Sequence, residues 1–200
     1  MNLSSPYALL LSVTAAVLIP TSGLAQNTGS LDTSGKLRIH GERVYSPWSL
    51  AGTAAYASLR HARNQPAEWG QGGGAFGKRL GSAFGYSAIH ETLAFGLDSS
   101  LHQDPRYFRS NSSGILRRTV HALRGTIMTR TDSGRETLSV WRIGSAYGAA
   151  YLSNQWYPDR LNTGGECAKQ GSLQLVYDLA ANLASEFWPD VKKKLRHRKP

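Results

Sequence analysis

The chain has 200 residues, of which 40% are hydrophobic, and 23 Lys and Arg against 13 Asp and Glu give a formal net charge of +10. This length suits a single domain with its own core, and the apolar fraction argues against an intrinsically disordered chain. Cys167 is the only cysteine, which excludes a disulfide scaffold and a zinc site of four Cys or mixed Cys and His ligands.

The first 25 residues have the pattern of a signal peptide. Residues Tyr7 to Ile19 form an apolar run of the length usual for the hydrophobic region of such a peptide. Gly23 and Ala25 then supply the small residues that signal peptidase requires before Gln26. The run is shorter than the roughly 20 residues that cross a bilayer, which argues against a membrane anchor. We therefore expect removal of residues 1–25 and export to the periplasm or the outer membrane.

Breakers and capping residues in the rest of the chain predict an all-α bundle of about five helices. The polar residues 26–45 are expected to be flexible, with at most one short strand at Lys36–Tyr45. A helical domain, residues 46–190, and a basic tail, residues 191–200, follow. The predicted helices are Trp48–Arg63, Ala75–His102, one that begins after Ser112 or Ser113, Thr137–Gln155, and one that Pro189 ends.

Local patterns define two of these helices further. The third helix carries an apolar stripe at helical spacing, formed by Ile115, Leu116, Thr119, Val120, Leu123 and Ile127. Ser133 and Glu136 have the spacing of a capping box, which predicts the start of the fourth helix.

Glycines recur every fourth residue in two of the predicted helices. Those expected to pack against a neighbouring helix are Gly77, Gly81, Gly85, Gly144 and Gly148. Because glycine destabilises a helix interior by about 0.5–1 kcal/mol relative to alanine, several on one face indicate close packing of backbones. Charged residues interrupt the first of these helices, so packing within a soluble bundle is favoured over association within a membrane.

Acidic residues and a histidine share one face of the helix Ala75–His102. Glu91, Asp98 and His102 are spaced at i, i+7 and i+11. The next helix has a basic face, formed by Arg117, His121 and Arg124. We expect ion pairs between the two faces, and hence no metal ion and no cofactor. The alternative is a metal or acid/base site that also includes Asp104, because carboxylate and imidazole ligands suit divalent ions.

Two groups of basic residues are candidates for binding anions. Arg106 and Arg109 follow Asp104-Pro105 and could hold a phosphate or a carboxylate. The alternative is a rigid corner in which Asp104 fixes a turn and the neighbouring aromatic rings fill the core. The second group is the tail, which has six basic residues and no acid: Lys192, Lys193, Lys194, Arg196, Arg198 and Lys199.

The expected partner of the tail depends on the compartment. In an exported protein the anions it meets are phospholipid or lipopolysaccharide headgroups, and each Lys or Arg near such a surface contributes about 1 kcal/mol. Nucleic acid would attract the same charges but lies in another compartment, so no nucleic acid is expected. The alternative is a solvated end without a partner.

Five short motifs are distinctive of one group of proteins. They are LHQDPRYF (101–108), TRTDSG (129–134), the small-residue run Ile143–Ala150, SNQWYP (153–158) and EFWPDVKKKL (186–195). In these motifs the chain resembles an uncharacterised family of exported proteins from Gram-negative soil bacteria. The resemblance covers about Ala75 to Leu195. It implies export but no activity.

The sequence therefore predicts an exported envelope protein that binds or acts as a scaffold at a membrane surface. A homo-oligomer or an envelope protein is a possible further partner. The alternative is an envelope hydrolase that acts on phosphate or ester bonds, with Glu91, His102 and Asp104 as its catalytic candidates. That alternative requires these side chains to converge on one pocket.

Overall fold

This computed structural model describes residues 29–196, which form six α-helices, one short hairpin and two short 3-10 helices, Ala67–Trp69 and Asp159–Leu161. The helices are α1 (Thr33–Tyr45), α2 (Pro47–Ala62), α3 (Gly73–Ser100), α4 (Ile115–Ile127), α5 (Val140–Asn154) and α6 (Gly164–Arg196). The prediction of an all-α bundle is confirmed. The predicted signal peptide, Arg198 and Lys199 lie outside the described residues.

Helix α3 is central in this bundle. It packs against α1, α2 and α5, whereas α6 packs against α5 and α4. The buried side chains between these helices are mostly small, and Trp141 is the one large apolar side chain among those that are nearly inaccessible in the described residues. Alanines provide most of the remaining apolar core, among them Ala94, Ala146, Ala149 and Ala150. Small side chains allow the helix axes to approach closely, as glycine and alanine do in other tightly packed helix pairs.

The sequence predicts a flexible segment over residues 26–45, with at most one short strand at Lys36–Tyr45. This prediction is wrong for Thr33–Tyr45, which forms helix α1. Asp32 caps this helix, because its carboxylate accepts the backbone N–H of Gly35 at 2.8 Å. The buried residues of α1 are Lys36, His40 and Val44, four positions apart. Two of the three are ionisable, so the apolar periodicity that marks most surface helices is missing.

The capping-box prediction at Ser133 and Glu136 is also wrong. Strands β1 (Met128–Arg130) and β2 (Glu136–Leu138) pair antiparallel, and Ser133 lies in the turn between them. Gly134 takes a φ of 84° there, a conformation that glycine adopts without strain. Helix α5 therefore begins at Val140 rather than at Thr137.

The prediction that Pro189 ends the last helix is wrong, because α6 continues to Arg196. Proline removes one backbone hydrogen bond from a helix, at a cost of about 3 kcal/mol. Arg118 on α4 supports the helix on both sides of this proline. Its guanidinium donates to the backbone oxygen and the carboxylate of Glu186 and to the carboxylate of Asp190.

The glycines expected to pack differ in what surrounds them. A Cβ atom on Gly144 would lie 2.8 Å from Leu97 Cδ1, and one on Gly148 would lie 3.0 Å from Leu93 Cδ1, so α5 and α3 approach closely there. At Gly85 the nearest atom is 3.7 Å away, in the ring of Trp156. At Gly77 and Gly81 a Cβ would meet nothing within 4 Å, so the described part of the chain packs no helix against them. None of the helices in residues 29–196 is long and apolar enough to cross a membrane.

Candidate functional site

A buried group of charged side chains joins α1 to α3. His40 Nδ1 lies 2.7 Å from Glu91 Oε2, and His40 Nε2 lies 2.7 Å from Asp98 Oδ2. His40 is 3% exposed and Asp98 is fully buried. An imidazole that meets a carboxylate oxygen at each nitrogen donates to both only as the imidazolium cation. We call these three residues the His40 cluster.

The electrostatics of the His40 cluster favour its charged form. Burial alone would lower the pKa of His40, but the hydrogen bonds to Asp98 and Glu91 outweigh it and raise the pKa above its usual value. Burial alone would raise the pKa of Glu91, but the Arg43 guanidinium and the hydrogen bonds from His40 and His90 hold it well below its usual range. The cluster is therefore an ion pair network that fixes α1 on α3.

A hydrogen-bonded chain of serine, histidine and carboxylate extends from this cluster. His90 Nδ1 lies 3.1 Å from Glu91 Oε1, and His90 Nε2 lies 3.2 Å from Ser145 Oγ. The order of groups is that of a hydrolase triad. However, Ser145 is fully buried and lines neither of the two grooves described below. A nucleophile must reach its substrate, and the buried Ser145 hydroxyl instead links α5 to His90 of α3.

The three candidates of the hydrolase alternative have separate partners. Glu91 belongs to the His40 cluster. His102 has 83% of its side chain exposed, with Nδ1 3.7 Å from Asp132 Oδ2. The carboxylate of Asp104 accepts the backbone N–H of Arg106 at 2.9 Å and its guanidinium at 2.6 Å. Within residues 29–196 no three His, Cys, Asp or Glu side chains are grouped so that they could hold a metal ion.

The expected ion pairs between α3 and α4 are not formed, and this prediction is wrong about the partner helix. Glu91 and Asp98 bond with α1 instead. Arg124 pairs with Glu136 of the hairpin at 2.8 Å, and His121 Nε2 lies 2.9 Å from the backbone oxygen of Phe108. Glu91 and Asp98 share one face of α3, as their spacing predicts, but His102 lies beyond the end of the helix. The basic partner comes from α1, a helix that was not predicted.

Helix α4 buries one arginine and has its apolar side outward. Its buried residues are Arg118, Ala122 and Thr126. The large apolar residues of the predicted stripe point to solvent: Ile115 and Leu116 are 74% and 77% exposed, and the other three are about half exposed. We call these five residues, without Thr119, the apolar face of α4: Ile115, Leu116, Val120, Leu123 and Ile127. An apolar stripe normally faces a core, so this orientation requires a cause.

The cause is a set of polar contacts between α4 and α6. Arg118 Nε donates to Glu186 Oε1 at 2.8 Å, and Arg118 Nη1 donates to Asp190 Oδ2 at 2.5 Å. Glu186 is fully buried and also accepts the Tyr107 hydroxyl and the backbone N–H of Ser110. Rotation of α4 to bury its apolar face would leave the Glu186 carboxylate buried without its cation, which costs several kcal/mol.

A groove connects the apolar face of α4 to the basic end of α6. It has a volume of about 330 Å³ and is lined by Ile115 and Arg118 of α4 and by Phe187, Val191 and Lys194 of α6, together with Asp190. The described basic residues of the predicted tail lie in the last two turns of α6 and are exposed: Lys192, Lys193, Lys194 and Arg196. Apolar and basic surfaces therefore adjoin along one side of the molecule.

The two arginines predicted to bind an anion lie in different surroundings. Arg106 lines a second groove, of about 360 Å³, at the C-terminal end of α4. Arg109 does not line it, and its Nε atom is buried without a hydrogen-bond partner among the described residues.

Sequence reasoning missed the residues that organise both regions, namely His40 in α1 and the pair Arg118 and Glu186. The spacing of Lys36, His40 and Val44 was a usable signal for α1, because positions i, i+4 and i+8 share one face of a helix. Arg118 gave no signal, since its partner is 68 residues away.

Comparisons with protein-family models, with curated proteins and with solved structures each gave no match. The resemblance to exported proteins of soil bacteria therefore stays a prediction.

Proposed function

We propose that this protein is an exported helical binding protein that lies on the surface of an anionic membrane. The observation that carries the proposal is the apolar face of α4, which points to solvent on a helix whose orientation Arg118 and Glu186 fix. Exposed apolar stripes of this kind are typical of helices that lie in the plane of a bilayer surface. The signal-peptide pattern in residues 1–25 supports export.

The charges beside the apolar face support an anionic lipid rather than a protein as its partner. Arg117 and Arg124 are exposed on α4 next to the stripe, and the basic end of α6 lies across the adjoining groove. Anionic headgroups would meet these cations while the apolar side chains enter the boundary between headgroups and acyl chains. An enzymatic role is not proposed, because the hydrolase candidates do not share a pocket.

Vesicle sedimentation with the full chain tests this proposal. We expect binding to vesicles of phosphatidylglycerol and phosphatidylcholine, little binding to phosphatidylcholine alone, and weaker binding as salt is added. The double variant Leu116→Gln and Leu123→Gln should bind at least about tenfold more weakly, because a fully buried leucine contributes about 1.5–3 kcal/mol and tenfold corresponds to about 1.4 kcal/mol.

The matched control is the double variant Leu37→Gln and Leu50→Gln, which changes two exposed leucines on α1 and α2. Every variant keeps residues 1–28, so any lipid affinity of that segment cancels in the comparison. Equal binding of the two double variants would overturn the proposal. A different outcome is that the wild type does not bind vesicles but forms a dimer, and that the Leu116 and Leu123 substitutions dissociate this dimer. That outcome would show that the face is a protein interface.

A further inference from the structure

We propose that the second groove, at the C-terminal end of α4, binds the phosphate group of a phospholipid headgroup. This inference rests on the proposed function and adds a specific ligand to it. Three separate segments supply the groove: the loop before α4, the last two turns of α4, and the hairpin that follows. Its cationic side chains are Arg106, Arg124 and Arg130. We call it the arginine groove.

The arginine groove has a size and composition that suit an anion with an apolar neighbour. Its volume of about 360 Å³ lies within the range of small-molecule sites. Tyr107 and Phe108 form its aromatic wall, and Glu136 is its only acidic lining residue. A guanidinium group presents paired N–H donors that match the oxygens of a phosphate, so arginine is favoured at such sites.

The charge of the groove is only partly neutralised by the protein. Arg124 pairs with Glu136 at 2.8 Å, and Arg106 pairs with Asp104. Arg130 is the direct cross-strand neighbour of Glu136, but the Glu136 carboxylate bonds with Arg124 instead. Among the described residues, the Arg130 side chain forms no ion pair. Its guanidinium is thus the donor that a ligand would meet first.

Two of these cations lie against the same aromatic ring, that of Phe108. The guanidinium carbons of Arg130 and Arg106 lie 4.6 Å and 5.3 Å from the centre of the same Phe108 ring. His121 also holds this loop, because its Nε2 lies 2.9 Å from the Phe108 backbone oxygen. An anion in the groove would be attracted by the Arg130 charge, whereas the Arg106 charge is already paired with Asp104.

The position of the groove indicates why the phosphate would come from a lipid. Arg124 lines the groove and lies between Leu123 and Ile127 of the apolar face of α4. Leu123 and Ile127 are both about half exposed. A headgroup phosphate in the groove would therefore place its acyl chains beside the apolar face. A free phosphate ion would contact the groove but not the apolar face of α4.

The first test uses inorganic phosphate and glycerol 3-phosphate in solution with the full chain. Backbone amide signals of Gly125 and Gly134, which line the groove, should shift on titration with either anion and not with chloride at equal ionic strength. Arg130→Gln should weaken this binding at least about tenfold, because it removes a charged donor to the anion. The matched control is Arg135→Gln, an exposed arginine of the same hairpin that does not line the groove.

The second test measures binding of both variants to phosphatidylglycerol vesicles. We expect Arg130→Gln to reduce binding clearly more than Arg135→Gln. Equal loss in the two variants, with phosphate still bound in solution, would overturn the lipid source and leave a site for free phosphate. No amide shift at Gly125 and Gly134 would overturn the site, even if vesicles bind. Phosphate binding without any vesicle binding would overturn the proposed function and leave the site.

Discussion

The Nε2 atom of His40 lies 2.7 Å from Oδ2 of Asp98, 58 residues later in the chain, and both side chains are buried. Helix α1 is thus attached to α3 mainly by charge. Lys36, another of its buried residues, donates from Nζ to the backbone oxygen of Asp98 at 3.2 Å and to Asp132 at 2.9 Å. Only Val44 adds a buried apolar side chain from α1.

Removal of the imidazole should therefore destabilise the fold strongly. We expect His40→Ala to lower the free energy of unfolding by about 3–5 kcal/mol, because Glu91 and Asp98 then remain buried without the cation between them. Urea denaturation followed by circular dichroism measures this loss. His102→Ala is the control, since His102 is exposed and its loss should change stability by about 0.5 kcal/mol or less. Similar losses in the two variants would contradict the assigned role of the cluster.

The His40 cluster also predicts how stability changes with pH. The pKa of His40 is raised in the folded state by Asp98 and Glu91, which outweigh its burial, so its stabilisation is complete below the unfolded pKa of about 6.5. It is lost as the pH rises through the folded pKa. The pKa of Glu91 is lowered by Arg43, His40 and His90 against the effect of burial, so its stabilisation is complete above about 4.5 and is lost in acid. The contribution of the cluster is greatest between these two values.

Unfolding free energies at about pH 5.5 and about pH 8.5 test this dependence. The wild type should lose stability between them, with a slope from His40 no steeper than about 1.4 kcal/mol per pH unit, since one proton is involved. His40→Gln should remove this part of the slope, whereas His102→Gln should retain it. A slope that is unchanged in His40→Gln would show that other groups cause it.

Helices whose ends carry local signals could be predicted from the sequence. Ser46 and Pro47 mark the start of α2, and the Ser46 hydroxyl accepts the backbone N–H of Ser49 at 3.2 Å, as a capping residue does. The predicted start and end of α3 lie within two residues of Gly73 and Ser100. These signals act over one turn of helix, so the local sequence is enough to predict where these helices begin and end.

Features that depend on distant partners could not be predicted in this way. The apolar stripe of α4 was recognised, but its outward orientation depends on Glu186, which follows in α6. The continuation of α6 through Pro189 depends on the same contacts with Arg118. Helix α1 lacks an apolar face because its partners on α3 are carboxylates. In each case a buried charge pair between separate elements outweighs the local pattern.

Substitution of glycine by alanine should have opposite effects on the free energy of unfolding at two sites. Gly81 is exposed on α3, and an added Cβ would meet nothing within 4 Å. Gly81→Ala should raise the free energy of unfolding by about 0.5–1 kcal/mol, because alanine loses less backbone entropy in a helix.

At Gly171 on α6, an added Cβ would lie 2.5 Å from Tyr147 Cδ1 and 2.9 Å from its Cγ. These atoms are near the base of the ring, so the tyrosine cannot move aside without breaking its 3.0 Å hydrogen bond with Ser172. We expect Gly171→Ala to be destabilising by about 1–3 kcal/mol, as other overpacked sites are. Thermal denaturation of both variants shows which substitution raises stability and which lowers it. Destabilisation by Gly81→Ala would instead reveal a partner that packs against the exposed face of α3, as the glycine spacing first indicated.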